Sequence, residues 1–334
     1  MRKKSVWLVV ISLLIIWIVV VVMAYDRGKK RPGLLYAEIP KETVEFINNL
    51  SNHLTDILIS FNPNQKLKDW DNGTNIGEDP QSGLLKFEDD YFIIYYDPAT
   101  KKEALFTKEN AHKAIRPLAE ICGKYYYPDD VNGRKLPIYL AKTQSEFLRL
   151  VALVIGGATK GDYTNVGGVY ISEASKLGCL TKGIVINNEV AFKNDKLAKS
   201  VLWHEMTHYV FFTALDYGVR IKLPMWSYEG IAEYCAKPGE KLLFSLDAID
   251  SMRIQCDFSA PHFPYVYQNY SGGESIYRYM ETAYSKKGVS DFLHTLYSEG
   301  VTLSLQRNFR IDLKSFEQNW KNNLSQFASP STGR

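Results

Sequence analysis

The sequence predicts an α+β fold. A mixed sheet occupies the first half of one large domain, a long helix follows at its centre, the second half is mainly helical, and a transmembrane helix precedes the whole. Three observations predict this. Short runs of aromatic and β-branched residues end near Asn187, the segment Asp195–Leu215 contains neither Pro nor Gly, and beyond Pro224 apolar residues recur at helical spacing.

The elements follow in chain order. Arg2, Lys3 and Lys4 precede an apolar run from Val6 to Ala24, close to the ~20 residues that cross a bilayer as a helix. A cleaved signal would have a shorter apolar core, of about 7–15 residues, and then a small-x-small site. The run instead ends Val22-Met23-Ala24-Tyr25, so residues 1–25 are expected to be a cytoplasmic tip and an uncleaved anchor. The expected location is the cell membrane, single-pass, with the amino end inside and the folded domain outside. Residues 26–84 read as a juxtamembrane tether, a helix and a linker. The basic stretch Asp26–Gly33 suits anionic headgroups, and Val44, Ile47, Leu50, Leu54, Ile57 and Leu58 mark a helix within 41–61. The polar segment Lys68–Gly83 is the linker.

The folded domain is expected over residues 85–325, with a flexible tail at 326–334. Tyr91–Tyr96 and Leu136–Leu140 read as strands, each followed by a helical pattern, and Val166–Ser172 and Gly183–Asn187 as two more. Asp195–Leu215 carries Leu197, Val201, Leu202, Tyr209 and Phe212 on one stripe. The last helix has Leu313, Phe316, Trp320, Leu324 and Phe327 at helical spacing behind an Asp312 cap.

Composition excludes some classes. The hydrophobic fraction of 46% and charged fraction of 23% are those of a globular chain, and the net charge of +3 is not gathered into a basic stripe, which argues against nucleic acid as a partner. Cys122, Cys179, Cys235 and Cys256 form no C-x-x-C pair and read as small buried thiols.

The long helix carries His204-Glu205-Met206-Thr207-His208. Residues four apart share a helix face, so both imidazoles can point at one ion, while Glu205, one position on, can reach a water beside it. A catalytic zinc site takes three protein ligands and keeps a fourth position open. The third ligand is sought in Pro224–Tyr234, where a helix starting near Trp226 would turn Glu229 toward the histidines, with Glu233 one turn later as an acceptor that orients one of them. The alternative makes Glu233 the ligand and Glu229 a solvated carboxylate. Trp203, Tyr209, Phe211 and Phe212 read as core, and His53, His112, His262 and His294 as surface or internally satisfied histidines.

This pattern resembles the gluzincin metallopeptidases, the group that includes thermolysin and the aminopeptidase-N-like enzymes. The matching residues are His204-Glu205-x-x-His208 and Glu229 in Trp226-x-x-Glu229-Gly230-x-Ala232-Glu233-Tyr234. A looser likeness to peptidase-MA-like domains of bacterial proteins extends over residues 85–325, through Tyr91–Tyr96, the segment from Pro137 to Phe147, and Phe316-x-x-x-Trp320. The resemblance implies a zincin-like fold, a Zn2+ cofactor on His204, His208 and Glu229, Glu205 as general base, and hydrolysis of peptide or protein substrates. The Gly-x-Met-x-Asn segment that grips a substrate's amino end in aminopeptidase-N-like enzymes is absent from Gly161–Ile171, which favours an endopeptidase. Those enzymes also stabilise the oxyanion with a later His or Tyr, for which Tyr267, Tyr270 and Tyr277 are the candidates. The competing expectation is a zinc-stabilised binding or assembly module of the cell envelope without catalysis.

Overall fold

The computed structural model describes residues 77–78, 82–123, 135–156, 163, 165–175, 178–215, 219 and 222–329. They belong to one compact unit spanning Asn75–Arg334. The expected transmembrane run, the basic tether and the helix within 41–61 lie outside the described residues. Among the described residues no helix is long and apolar enough to cross a membrane.

The architecture is α+β. The strands are β1 (Gly77–Glu78), β2 (Leu85–Glu88), β3 (Phe92–Tyr96), β4 (Leu136–Ala141), β5 (Gly168–Ser175) and β6 (Gly178–Asn187). They form one mixed sheet in the order β1-β2-β3-β4-β6-β5. β3, β4 and β6 run parallel, and antiparallel pairs flank them on both sides. The helices are α1 (Lys101–Cys122), α2 (Gln144–Ile155), the single turn α3 (Asn188–Ala191), α4 (Asp195–Ala214), α5 (Met225–Ala236), α6 (Leu246–Gln255), α7 (Gly273–Glu299), α8 (Val301–Phe309) and α9 (Leu313–Asn323).

Alternation along the strands divides the core in two. Phe92, Ile94, Tyr96, Leu136, Ile138, Leu140, Ile184 and Ile186 face the larger core with α1, α4, α5 and α7. Tyr95, Tyr139, Ala141 and Val185 face a smaller one with Phe147, Leu150 and Val151 of α2. This is the period-two consequence of a pleated strand covered on both faces.

Several boundaries differ from those expected. β1 falls inside the segment read as a linker, and its pairing with β2 adds an antiparallel edge. β6 begins at Gly178, not at Gly183, because Gly183 sits inside the strand with Pro137 O 3.0 Å from where its Cβ would lie. A glycine inside a strand that marks such a close approach reads, in sequence, as a strand end. At the other terminus Phe327 is buried and Ala328 bridges Phe244, so packing continues past residue 325. Cys122, Cys235 and Cys256 are buried free thiols.

Candidate metal centre

Helix α4 carries two of the expected ligands. Asn194 caps it, its side chain accepting from the Leu197 N–H, and the Trp203 indole donates to Asn110 O and ties α4 to α1. His204 and His208 lie one turn apart on one face with their rings nearly perpendicular, at 84°. Helix α5 crosses beside them. Trp226 is fully buried at its start, Ser227 Oγ donates to Pro224 O, and the Tyr277 hydroxyl donates to Ser227 O. The crossing with α7 is made at two glycines: a Cβ on Gly230 would lie 2.5 Å from the carbonyl carbon of Gly273. Backbones this close are open only to glycine.

The three ligand groups converge. His204 Nε2 and His208 Nε2 are 3.0 Å apart, and Glu229 Oε2 lies 3.3 Å from each. All are buried, and the three residues form a group able to hold a metal ion. Two details fit a cation at their centre. Atoms bound at about 2.1 Å to a tetrahedral ion stand about 3.4 Å apart, close to the spacings found, and Glu229 Oε2, although 3.3 Å from both imidazole nitrogens, is a buried acceptor that receives no well-formed hydrogen bond among the described residues. An orphaned buried carboxylate oxygen is costly unless a cation meets it.

Glu233 lies outside the group that could hold an ion. Its Oε1 lies 3.1 Å from His204 Nδ1, on the far side of the ring from Glu229, while its Oε2 accepts from Lys237 Nζ. This orients His204 with Nε2 toward the ion site. Burial alone would lower the pKa of His204, but the adjoining Glu229 and Glu233 carboxylates raise it, to about 10. Burial opposes ionisation of Glu229 and Glu233 as well. The two imidazoles outweigh it for Glu229 and hold it down to about 2, and His204 with Lys237 does the same for Glu233, also to about 2.

Glu205 faces away from this contact toward the sheet. Its Oε2 accepts from the Tyr170 N–H of β5 at 2.7 Å. Burial raises its pKa, outweighing the two histidines. Gly168 makes room for it: a Cβ there would meet Val201 Cγ1 at 2.8 Å and Glu205 Cγ at 3.0 Å.

The three candidate tyrosines part company. Tyr270 stacks on the His204 ring, with centroids 5.9 Å apart and planes 13° apart. Burial, then the neighbouring Glu229 and Glu205 carboxylates, push its phenol pKa up. Tyr277 is fully buried and committed to Ser227 O, and Tyr267 is 40% exposed with its hydroxyl on Ser251 Oγ, so neither reaches the centre. Tyr270 gets there because residues 268–272 form a π-helical turn ahead of α7, fixed by Asn269, which accepts from the Phe263 N–H and donates to Phe263 O and Tyr265 O.

Sequence reasoning missed two aromatic neighbours. Phe212, expected in the core with Trp203, Tyr209 and Phe211, is only half-buried and lies 5.7 Å from the His208 ring. Its i+4 spacing from His208 was the available signal. Tyr228 lies 6.2 Å from the same ring, and its pKa is raised to about 12 by burial and then by Glu229. Among the other histidines, His112 pairs with Asp89 Oδ2 at 2.7 Å, and His262 and His294 are exposed. No protein-family model matches the chain, and no curated protein matches it.

Proposed function

We propose that the protein is a zinc-dependent peptidase, an endopeptidase in preference to an aminopeptidase, tethered to the cell membrane by its apolar amino terminus with the catalytic domain outside the cell. The observation that carries the reading is the convergence of His204, His208 and Glu229 with a buried carboxylate, Glu205, beside them. Two imidazoles and one carboxylate are the donor set of a catalytic zinc with an open position. The gluzincin pattern of the sequence points the same way, and a purely structural ion has no use for Glu205.

His204, His208 and Glu229 would hold the ion, and Glu233 would fix His204. When bound, zinc supplies a Lewis acid that polarises a peptide carbonyl and makes an attacking water more acidic. Glu205 takes the proton of that water and later returns it to the leaving amine, and burial raises its pKa. Tyr270 keeps its phenolic proton and offers it as a hydrogen bond to the oxyanion. The Tyr170 N–H holds Glu205 in place between these events.

The test uses the full chain, purified with zinc. Wild type is expected to hold about one ion and to cleave members of a broad peptide library, and Glu205→Gln to keep the ion while losing about 10²–10⁴-fold in rate. Hydrolysis undiminished in Glu205→Gln removes Glu205 from the chemistry. A zinc-loaded wild type that cleaves nothing favours the binding or assembly module.

A further inference from the structure

The face of α4 that bears His204 and His208 continues one turn further to Phe212. Its neighbour Phe211 is completely buried, whereas Phe212 keeps part of its ring at the surface. Two more half-buried rings extend it. Tyr170 of β5 stacks on Phe212 with centroids 6.1 Å apart and planes 6° apart, and Tyr228 of α5 lies 5.4 Å from Phe212. Phe212 and Tyr228 both adjoin the His208 ring. Three separate elements thus contribute one aromatic wall beside the ion site. The Tyr170 hydroxyl is held against Thr181 Oγ1 at 2.9 Å, so the wall's outer ring is fixed.

The wall is also tied to the general base. Tyr170 supplies its ring to the wall and its N–H to Glu205, so a group resting on the wall is registered against the reacting centre through one residue. Aromatic rings pair at centroid separations of about 4.5–7 Å and gain more than their area alone provides.

We propose that Tyr170, Phe212 and Tyr228 form a specificity subsite that receives an aromatic side chain flanking the scissile bond. This rests on the peptidase reading and names its substrate class. One ring's worth of apolar contact is expected to give about tenfold or more in kcat/KM.

Two arms keep this inference separable from the peptidase reading. In the first, full-length zinc-loaded protein is profiled on the peptide library. Phe, Tyr or Trp is expected next to the cleaved bond, and cleavage with no aromatic enrichment on either side overturns the subsite while leaving the peptidase intact. In the second, two hexapeptides that differ only in Phe or Ser at one central position are titrated calorimetrically into Glu205→Gln, which needs no turnover. The Phe peptide is expected to bind about tenfold or more tightly, and Phe212→Ala in that background to bring the two within about twofold. Equal binding of both peptides overturns the proposal even if hydrolysis is seen, and discrimination without any hydrolysis sustains the wall as an aromatic-binding site while the peptidase reading, and the scissile bond with it, falls. Should circular dichroism show Phe212→Ala misfolded, Tyr170→Leu serves in its place, with the same expected loss of discrimination.

Discussion

Gly230→Ala isolates the packing that brings Glu229 to the histidines. A Cβ at 230 would sit 2.5, 2.6 and 2.7 Å from the carbonyl carbon, carbonyl oxygen and Cα of Gly273. Unstrained carbon contacts need about 3.5 Å or more, so α5 and α7 have to part by about 1 Å. The obstructing atoms are backbone and cannot rotate aside, which places the cost near the top of the overpacking range, about 3 kcal/mol. Better helix propensity returns about 1 kcal/mol. The net loss of about 2 kcal/mol corresponds, for a domain of this size, to a melting temperature lower by about 4–8 °C. Glu229 precedes Gly230 directly, so the same displacement moves a ligand, and zinc affinity should fall by about tenfold or more. Gly239→Ala is the control: unlike Gly230 it lies at positive φ, +74°, and its Cβ would meet nothing within 4 Å. It should cost about 1–2 kcal/mol of backbone strain and leave zinc affinity unchanged. Melting curves with and without zinc, and a competitive chelator titration, measure both quantities. A Gly230→Ala protein that melts within 1 °C of wild type and binds zinc equally well would refute the reasoning.

Four further outcomes follow from the same geometry. Zinc must displace the proton that the neighbouring carboxylates hold on His204, whose metal-free pKa is about 10, so affinity should climb about tenfold per pH unit between pH 6 and 8; a flat profile in the chelator titration contradicts it. In the metal-free protein the sign is opposite: the raised pKa contributes stability fully present below the unfolded value of 6.5 and lost as pH rises through about 10, so metal-free melting temperature should decline over that window, and constancy would remove the His204 ion pairs from the account. Lys237→Ala frees one oxygen of Glu233 and should weaken zinc binding by about 10-fold or more, with recovery in Lys237→Arg, because the lysine holds the carboxylate that orients His204; unaltered affinity in the alanine variant would show that Glu233 needs no such support. Tyr270→Phe keeps the ring stacked on His204 but removes the donor, so kcat should drop about 10²–10³-fold at constant zinc content, and an unchanged kcat would take the phenol out of the reaction.

How much of this was legible in the sequence depends on how local each feature is. His204, Glu205 and His208 are set by helix periodicity alone, and Glu229 and Glu233 by the same periodicity once a helix is granted near Trp226. The strands containing Phe92–Tyr96 and Leu136–Ala141 carry their own β-branched and aromatic signal. β2 is harder to read: Leu85–Glu88 alternates apolar and polar over only four residues, too short a run to stand out until β3 pairs with it. Tyr270 is a non-local result as well, since its place over His204 depends on a π-helical turn and on Asn269 gripping a loop six residues away. With 22 tyrosines in the chain, composition had no means of choosing among them.

The glycines explain why the centre could not be assembled from motifs alone. Gly168 lets β5 come against α4 closely enough for a strand N–H to meet Glu205, and Gly230 with Gly273 lets α5 and α7 touch through their backbones. In sequence each is an ordinary small residue, and Gly230 within α5 is even unfavourable for the helix. Each position makes sense only when the facing element is known. Glu205 is therefore held by the sheet, Glu229 by the α5–α7 crossing, and Tyr270 by the turn that starts α7, so the proposed chemistry would depend on three tertiary contacts that meet at one helix face. Because these contacts are distinct, damage to each should be separable: loss at the α5–α7 crossing falls on the ion, loss at Tyr270 falls on turnover, and neither should reproduce the other's signature.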